Sequence, residues 1–258
     1  MIRFRFRMEI DGEANILPMN YSYLFASWIY NELTYREAEL SVWLKEHHYF
    51  SDYRRFKCFT FSRFFPEQFQ IEGDRMKILS KNGNWYLSLT ISESFAVMLQ
   101  KTFIEKRFCI GDKTSRVNFI IRSIEILDQE TFVEESAIFK TLSPICVAHN
   151  FPGRKSISYL SPDEKIYENI FYQNLIRKYN SVHKTYLPGT DTYKFQLLGR
   201  PKPVLWLIHT ERDYPVKVKG YEFTFSFQAN QKLLEFGYYS GFGCKNNFGF
   251  GCVQRLKI

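Results

Sequence analysis

Nine consecutive residues near the start of the chain alternate without a break. Ile2, Phe4, Phe6, Met8 and Ile10 are apolar, and Arg3, Arg5, Arg7 and Glu9 stand between them. A strand points successive side chains to opposite faces. The pattern therefore predicts a strand with one face on a core and three arginines on the other; a helix would scatter the same residues around its axis. The same period returns late in the chain, where Phe223, Phe225 and Phe227 alternate with Thr224, Ser226 and Gln228. A sheet that is apolar on one face needs a second layer to cover it.

Helical patterns supply that layer. Residues 21–33 follow Pro18, and residues 36–46 bring Leu40, Trp43 and Leu44 together at i, i+3, i+4. Phe95, Met98, Leu99 and Phe103 form a third stripe. Ser161-Pro162-Asp163-Glu164 is a capping box that predicts a helix to about Tyr179, and Ala229 to Phe236 is a short helix ended by Gly237. Strands are expected over 57–62, 117–127, 139–148, 194–209 (interrupted by Pro201 and Pro203), 216–228 and the last residues to Ile258. A hairpin is expected over 76–92, turning at Asn82-Gly83. Element order then reads βαββαβ twice. The expected class is α+β, with two tandem ferredoxin-like (RRM-like) domains, 1–130 and 131–258, and a C-terminal glycine-rich loop.

The chain carries 35 Lys and Arg against 27 Asp and Glu, a net +8. Such an excess favours a polyanion, because neutralising phosphates releases counterions. Aromatic residues make up 18% and serve either as core or as stacking platforms for unpaired bases. The five cysteines, Cys58, Cys109, Cys146, Cys244 and Cys252, are scattered, odd in number and free of any Cys-x-x-Cys. That spacing fits a reducing cytoplasm and predicts neither a structural metal nor a cofactor. No apolar run is long enough for a membrane span, and the arginine-rich start does not read as a signal-peptide core.

The most informative stretch runs from Gly237 to Val253, with glycines at 237, 241, 243, 249 and 251 around Lys245-Asn246-Asn247. A dinucleotide fingerprint would place its glycines between a strand and a helix. Here they follow a helix and precede the terminal strand. Gly-Phe-Gly, Lys-Asn-Asn and Phe-Gly-Phe-Gly-Cys-Val in this order closely resemble the glycine-rich loop of the RAMP superfamily. The resemblance is best to the CRISPR-associated endoribonucleases that process precursor CRISPR RNA, the Cas six family. Trp28-Ile29-Tyr30-Asn31 resembles that family's first-helix segment. Lys57-Cys58-Phe59-Thr60-Phe61-Ser62 resembles its Lys-x-Phe-Thr-(Phe/Tyr)-Ser strand, and Thr141-Leu142-Ser143-Pro144-Ile145 the strand that opens its second domain.

This resemblance implies tandem ferredoxin-like domains with a basic cleft. It implies metal-independent cleavage within the CRISPR repeat by attack of a 2′-hydroxyl, leaving 2′,3′-cyclic phosphate and 5′-hydroxyl ends. The implied partners are precursor and mature CRISPR RNA and other CRISPR-associated proteins of an effector complex, with the chain a monomer or homodimer. Implied RNA contacts are Arg3, Arg5, Lys45, Gly241, Gly243, Lys245, Asn246, Asn247, Gly249 and Gly251. Implied catalytic positions are Tyr30, Lys57 and a histidine. Where the family commonly has Leu-His-Glu, this chain has Leu44-Lys45-Glu46, followed by His47 and His48. If the helix runs through residue 48, His48 returns near the face of Lys45, while His47 continues the Leu40–Leu44 stripe. His48 or His47 is therefore the expected acid–base group. The alternatives are a repeat-binding protein that cuts poorly or not at all, and a RAMP subunit that coats mature guide RNA. Arg154-Lys155, Arg177-Lys178, Arg200-Lys202 and Lys217-Lys219 are either part of the RNA path or ordinary solvated faces.

Overall fold

Phe4, Phe6, Met8 and Ile10 are all buried, as the alternation of the first strand requires. The computed structural model describes residues 1–35, 48–51, 54–57, 59–91, 93–153, 156–185, 187, 192–208 and 213–257. In chain order the elements are β1 (Ile2–Pro18), α1 (Tyr21–Tyr35), β2 (His48–Ser51), β3 (Arg54–Lys57), β4 (Phe59–Phe61), β5 (Phe65–Pro66), β6 (Phe69–Glu72), β7 (Arg75–Ile78), β8 (Asn82–Leu89), α2 (Glu93–Phe103), β9 (Arg107–Gly111) and β10 (Arg116–Ile126). They continue with β11 (Ser136–Thr141), β12 (Ala148–His149), β13 (Ser158–Tyr159), α3 (Tyr167–His183), β14 (Lys194–Ile208), β15 (Val216–Gln228), α4 (Gln231–Ser240), a 3-10 turn (Asn246–Phe248) and β16 (Val253–Leu256). They form two units: Met1–Leu44 with Ser62–Gln129, and Lys45–Phe61 with Glu130–Ile258.

In the first unit β8, β1, β10 and β9 lie side by side and antiparallel. The order β8-β1-β10 is that of the third, first and fourth strands of a ferredoxin-like βαββαβ unit. Its core is aromatic. Phe25 of α1 packs on Trp85 at 5.4 Å and Phe119 at 6.0 Å, Trp28 stacks on Phe108 at 3.9 Å, and Phe103 of α2 meets Phe6 edge-on at 6.0 Å. Edge and offset contacts of this kind add to the area that the rings bury.

The outer face of β1 differs from the expected arginine display. Arg3 is 3% exposed, and its Nε donates to Ser88 Oγ at 2.7 Å. Arg5 pairs with Glu125, its register partner on β10, and Arg7 with Glu67 at 3.5 Å. Glu9 accepts from Arg122 at 2.8 Å and from Lys81 at 3.1 Å, and these two cations hold its carboxyl down at about 2. The alternation gave the correct faces, but cross-strand acids that no local pattern announces turn the basic face into a mixed ladder.

The expected hairpin at Asn82-Gly83 is also different. The turn is at Gly73-Asp74, between β6 and β7. Asn82 and Gly83 are strand residues of β8, opposite Glu9 and Met8. Gly83 is glycine for space: a Cβ there would stand 2.4 Å from the Phe64 ring and 2.8 Å from the Phe65 carbonyl oxygen.

The second unit holds the sheet β14-β15-β11-β16, all antiparallel, which is the ferredoxin-like order with α3 and α4 as its helices. Phe223, Phe225 and Phe227 are buried on one face of β15 as their spacing predicts. Phe171 of α3 meets Phe225 at 5.8 Å and Phe227 at 5.2 Å. A register shift between Leu198 and Lys202 accommodates the Gly199–Pro201 stretch in β14. The helix α3 begins at Tyr167 rather than Pro162. The box closes on itself, Glu164 accepting from the Ser161 N–H at 2.6 Å, but it caps a turn that precedes the helix. The helix α4 runs past Gly237 to Ser240, because Gly237 is needed against the Phe242 ring, 2.4 Å from where its Cβ would stand.

Gly83→Ala should lower the free energy of unfolding by about 1–3 kcal/mol, the range for overpacking a filled site. A chemical denaturation curve shifted by less than about 0.5 kcal/mol would mean that Phe64 and Phe65 give way freely.

Candidate nucleic-acid interface

The glycine-rich segment is a knot tied to the core by two phenylalanines. Phe242 is fully buried, stacked on Phe171 at 5.3 Å and against Phe139 at 5.2 Å. Phe250 is fully buried and meets Trp206 at 4.6 Å. The loop closes on itself: the Phe242 N–H donates to the Gly251 carbonyl at 3.0 Å, and the Gly251 N–H to the Pro144 carbonyl at 2.8 Å. The Cys244 N–H donates to the Cys146 carbonyl at 2.7 Å.

Asn246 occupies the centre. It is 5% exposed. Its Nδ2 donates to the Phe242 carbonyl at 2.9 Å and the Phe250 carbonyl at 3.0 Å, and its Oδ1 accepts from Lys178 Nζ at 3.0 Å. This amide explains two of the glycines. A Cβ on Gly241 would lie 2.6 Å from Asn246 Nδ2, and one on Gly251 would lie 2.4 Å from it. Both also have positive φ, +86° and +82°, which an L side chain rarely adopts.

The same knot holds the Phe-Thr-Phe strand, 190 residues away in sequence from Phe250. Thr60 Oγ1 donates to the Phe250 carbonyl at 2.9 Å. A Cβ on Gly249 would stand 2.6 Å from the Phe61 ring, and one on Gly241 would stand 2.9 Å from Thr60 Cβ. Phe59, Thr60 and Phe61 are buried. Two sequence motifs thus meet in one body of the second unit.

What faces solvent is narrow. Lys245 is exposed, left-handed at φ +63°, with its Nζ 5.9 Å from the Phe248 ring centroid. Asn247 is half-buried. Gly241, Gly243, Gly249 and Gly251 are buried and build the loop. Asn246, expected to face phosphate, has both ends of its amide engaged inside the loop, which corrects that expectation. Arg200, Lys202, Lys217 and Lys219 are exposed on β14 and β15, Arg177 is exposed, and Lys178 beside it is buried. The cysteines are less scattered than the sequence shows: Cys146 and Cys244 Sγ atoms lie 3.3 Å apart, both free thiols, and burial pushes the Cys146 thiol well up.

The helical argument for His48 does not hold. His48 opens β2, and Lys57 closes β3; the two are register partners across this short antiparallel ladder. β2 runs beside α3, and both strands belong to the second unit. Tyr30 is half-buried on α1 in the first unit. Lys45 and His47 lie outside the described residues, as does the helix expected over 36–46. Among the described residues, no three His, Cys, Asp or Glu side chains are grouped to hold a metal ion, and no helix is long and apolar enough to cross a membrane.

Two family models match the chain in sequence order: "CRISPR-associated protein Cas6, N-terminal" over residues 16–125, and "CRISPR associated protein Cas6, C-terminal" over residues 127–255. The CRISPR-associated endoribonuclease Cas6 1 of Methanocaldococcus jannaschii is 26% identical over 99% of this chain and 95% of its own length. The CRISPR-associated endoribonuclease Cas6 of Pyrococcus furiosus is 27% identical over 98% of this chain and 89% of its own. The solved structure of a Cas6-related gene product from Pyrococcus furiosus superposes with a TM-score of 0.81 at 25% identity, covering 99% of this chain and 98% of that one. With both domain models matched end to end on a tandem ferredoxin-like fold, the chain belongs to the Cas6 family of CRISPR-associated proteins.

Proposed function

We propose that this Cas6-family protein binds CRISPR repeat RNA in precursor transcripts and cleaves it as a metal-independent endoribonuclease. Relatives named endoribonucleases, aligned over nearly the whole chain, support the activity. The observation that carries the site is the continuity from hairpin to loop. His48 and Lys57 are partners in β2–β3, Lys57 is one residue removed from β4, and Thr60 of β4 bonds the glycine-rich loop. A histidine, a lysine and an exposed cation-bearing loop are thereby gathered in one unit.

The reaction begins with the ribose 2′-hydroxyl on the 5′ side of the cut. Its oxygen attacks the adjacent phosphorus in line, the bond from phosphorus to the 5′-oxygen breaks, and 2′,3′-cyclic phosphate and 5′-hydroxyl ends remain. His48 serves as the acid–base group, since an imidazole titrates near neutral pH and can accept or return a proton. Lys57 stabilises the charge that builds on the non-bridging oxygens. Tyr30, His47 and Lys45 are the further catalytic or RNA-contacting candidates that the family pattern implies. Lys245 and Asn247 hold the flanking backbone, as phosphate contacts fix register without reading sequence. By sequence position the proposed catalytic residues fall within 1–130 and the loop within 131–258, while His48 and Lys57 belong to the unit that holds the loop. The RNA partner includes the mature product, and we place the reaction in the cytoplasm.

A second reading rests on Lys45, which stands where the family commonly has histidine: the protein binds the repeat and does not cut it usefully. Cleavage of a cognate repeat in EDTA separates the two. We expect one cut, abolished by a 2′-deoxy nucleotide immediately 5′ of it while binding persists. Efficient cutting of the deoxy substrate would contradict 2′-hydroxyl attack, and no cutting of the all-ribose RNA would favour the binding protein.

His48→Ala should lower the single-turnover rate by roughly 10²–10⁴-fold with little change in affinity. Lys57→Ala should slow the same step through loss of positive charge. If the protein lacking both His47 and His48 cuts at the parental rate, histidine catalysis is wrong.

A further inference from the structure

Lys178 lies in the buried stripe of α3 with Phe171 and Leu175, and only 2% of it is exposed. An ammonium taken out of water is costly unless it is bonded where it goes. A methionine would fill the same volume without that cost, so packing alone does not account for a lysine here. What the ammonium reaches is the knot. Its Nζ donates to the Gly241 carbonyl, where the loop leaves α4, and to Asn246 Oδ1 at its centre. On the other side Thr60 holds the Phe250 carbonyl. The loop is thus fixed from α3 on one side and β4 on the other, with Asn246 joining the two.

We propose that Lys178 is a positioning residue for RNA recognition: its buried ammonium sets the glycine-rich loop so that Lys245 and Asn247 meet the RNA backbone. It acts through Asn246 and touches no RNA itself. A charged, long donor suits a position in a helix interior from which the Gly241 carbonyl and Asn246 Oδ1 are both served, and charge-assisted bonds are the stronger kind. This inference rests on the reading of the loop as an RNA contact made above.

The test is a double-mutant cycle on the full chain, with affinity for a repeat RNA made uncleavable by a 2′-deoxy nucleotide at the cut. Lys178→Met should weaken binding by roughly tenfold or more, the effect of losing a bonded charged group. Lys178→Arg, which keeps the charge, should recover part of it. The decisive value is the double variant with Lys245→Ala. If Lys178 works through the loop, the double binds within about twofold of Lys178→Met alone, because the second change removes a contact already lost. Effects that simply multiply would show a general structural role and overturn the proposal. Circular dichroism and a thermal melt accompany each variant. Should Lys178→Met not fold, Asn246→Ala takes its place in the cycle with the same expected non-additivity; if neither folds, Lys178 serves the fold as a whole and the proposal is wrong. Lys245→Ala weakening binding while Lys178→Met does not would sink the tether alone. Lys245→Ala without effect would remove the loop as an RNA contact, and the tether with it.

Discussion

One carboxamide organises the second unit. Asn246 gives both amide hydrogens to carbonyls at the two ends of a loop and takes a bond from a buried lysine with its oxygen. Each of these groups is out of water, so an unmade bond would leave a polar atom unsatisfied at a cost of about 1–3 kcal/mol. A fully bonded buried network of this kind rigidifies the backbone around it. The consequences follow in order. Gly241 and Gly251 have no side chain because the amide fills that space. Phe242 and Phe250 enter the core at either end of the loop. Between them a short turn leaves Lys245 exposed and Asn247 and Phe248 half-buried around the buried Asn246.

The Phe-Thr-Phe strand joins the same arrangement from the distant end of the chain. Thr60 meets the carbonyl that Asn246 also holds, and the Phe61 ring lies where a side chain at position 249 would be. This explains why a chain with the one motif carries the other. The Thr60 bond ties β4, the strand that follows the His48–Lys57 ladder, to a loop that lies almost two hundred residues later in the sequence.

Much of the fold was legible. Period-two alternation placed β1 and β15 and their buried faces correctly, because a strand repeats at the spacing that the residues show. The apolar stripe of Phe95 to Phe103 located α2, the stretch after Pro18 α1, and the capping box announced α3 but five residues before its start at Tyr167. The errors share one physical cause. Gly83 and Gly237 were read as a turn and a helix end, yet each is glycine because a ring from elsewhere, Phe64 or Phe242, comes within 2.4 Å of the missing Cβ. Local chemistry cannot distinguish a glycine that bends the chain from one that makes room. The arginines of β1 show the same limit, since Glu67, Glu125 and Ser88 reach them from other strands and loops. So does Lys178, which sits beside an exposed arginine in sequence and against Asn246 in space. Family resemblance found the loop and the Phe-Thr strand, but not which loop residues face outward. That depends on where the carbonyls of 242 and 250 come to lie.

The central proposal is that the β2–β3 hairpin and the glycine-rich loop contact the same stretch of RNA. The most direct measurement is photo-crosslinking of the full protein to an uncleavable repeat RNA carrying 4-thiouridine near the cut, with crosslinked peptides identified by mass spectrometry. The account predicts crosslinks in both the 48–57 hairpin and the 245–248 turn, obtained from the same few nucleotides. Crosslinks confined to one of the two segments, or lying wholly within residues 62–129, would contradict it.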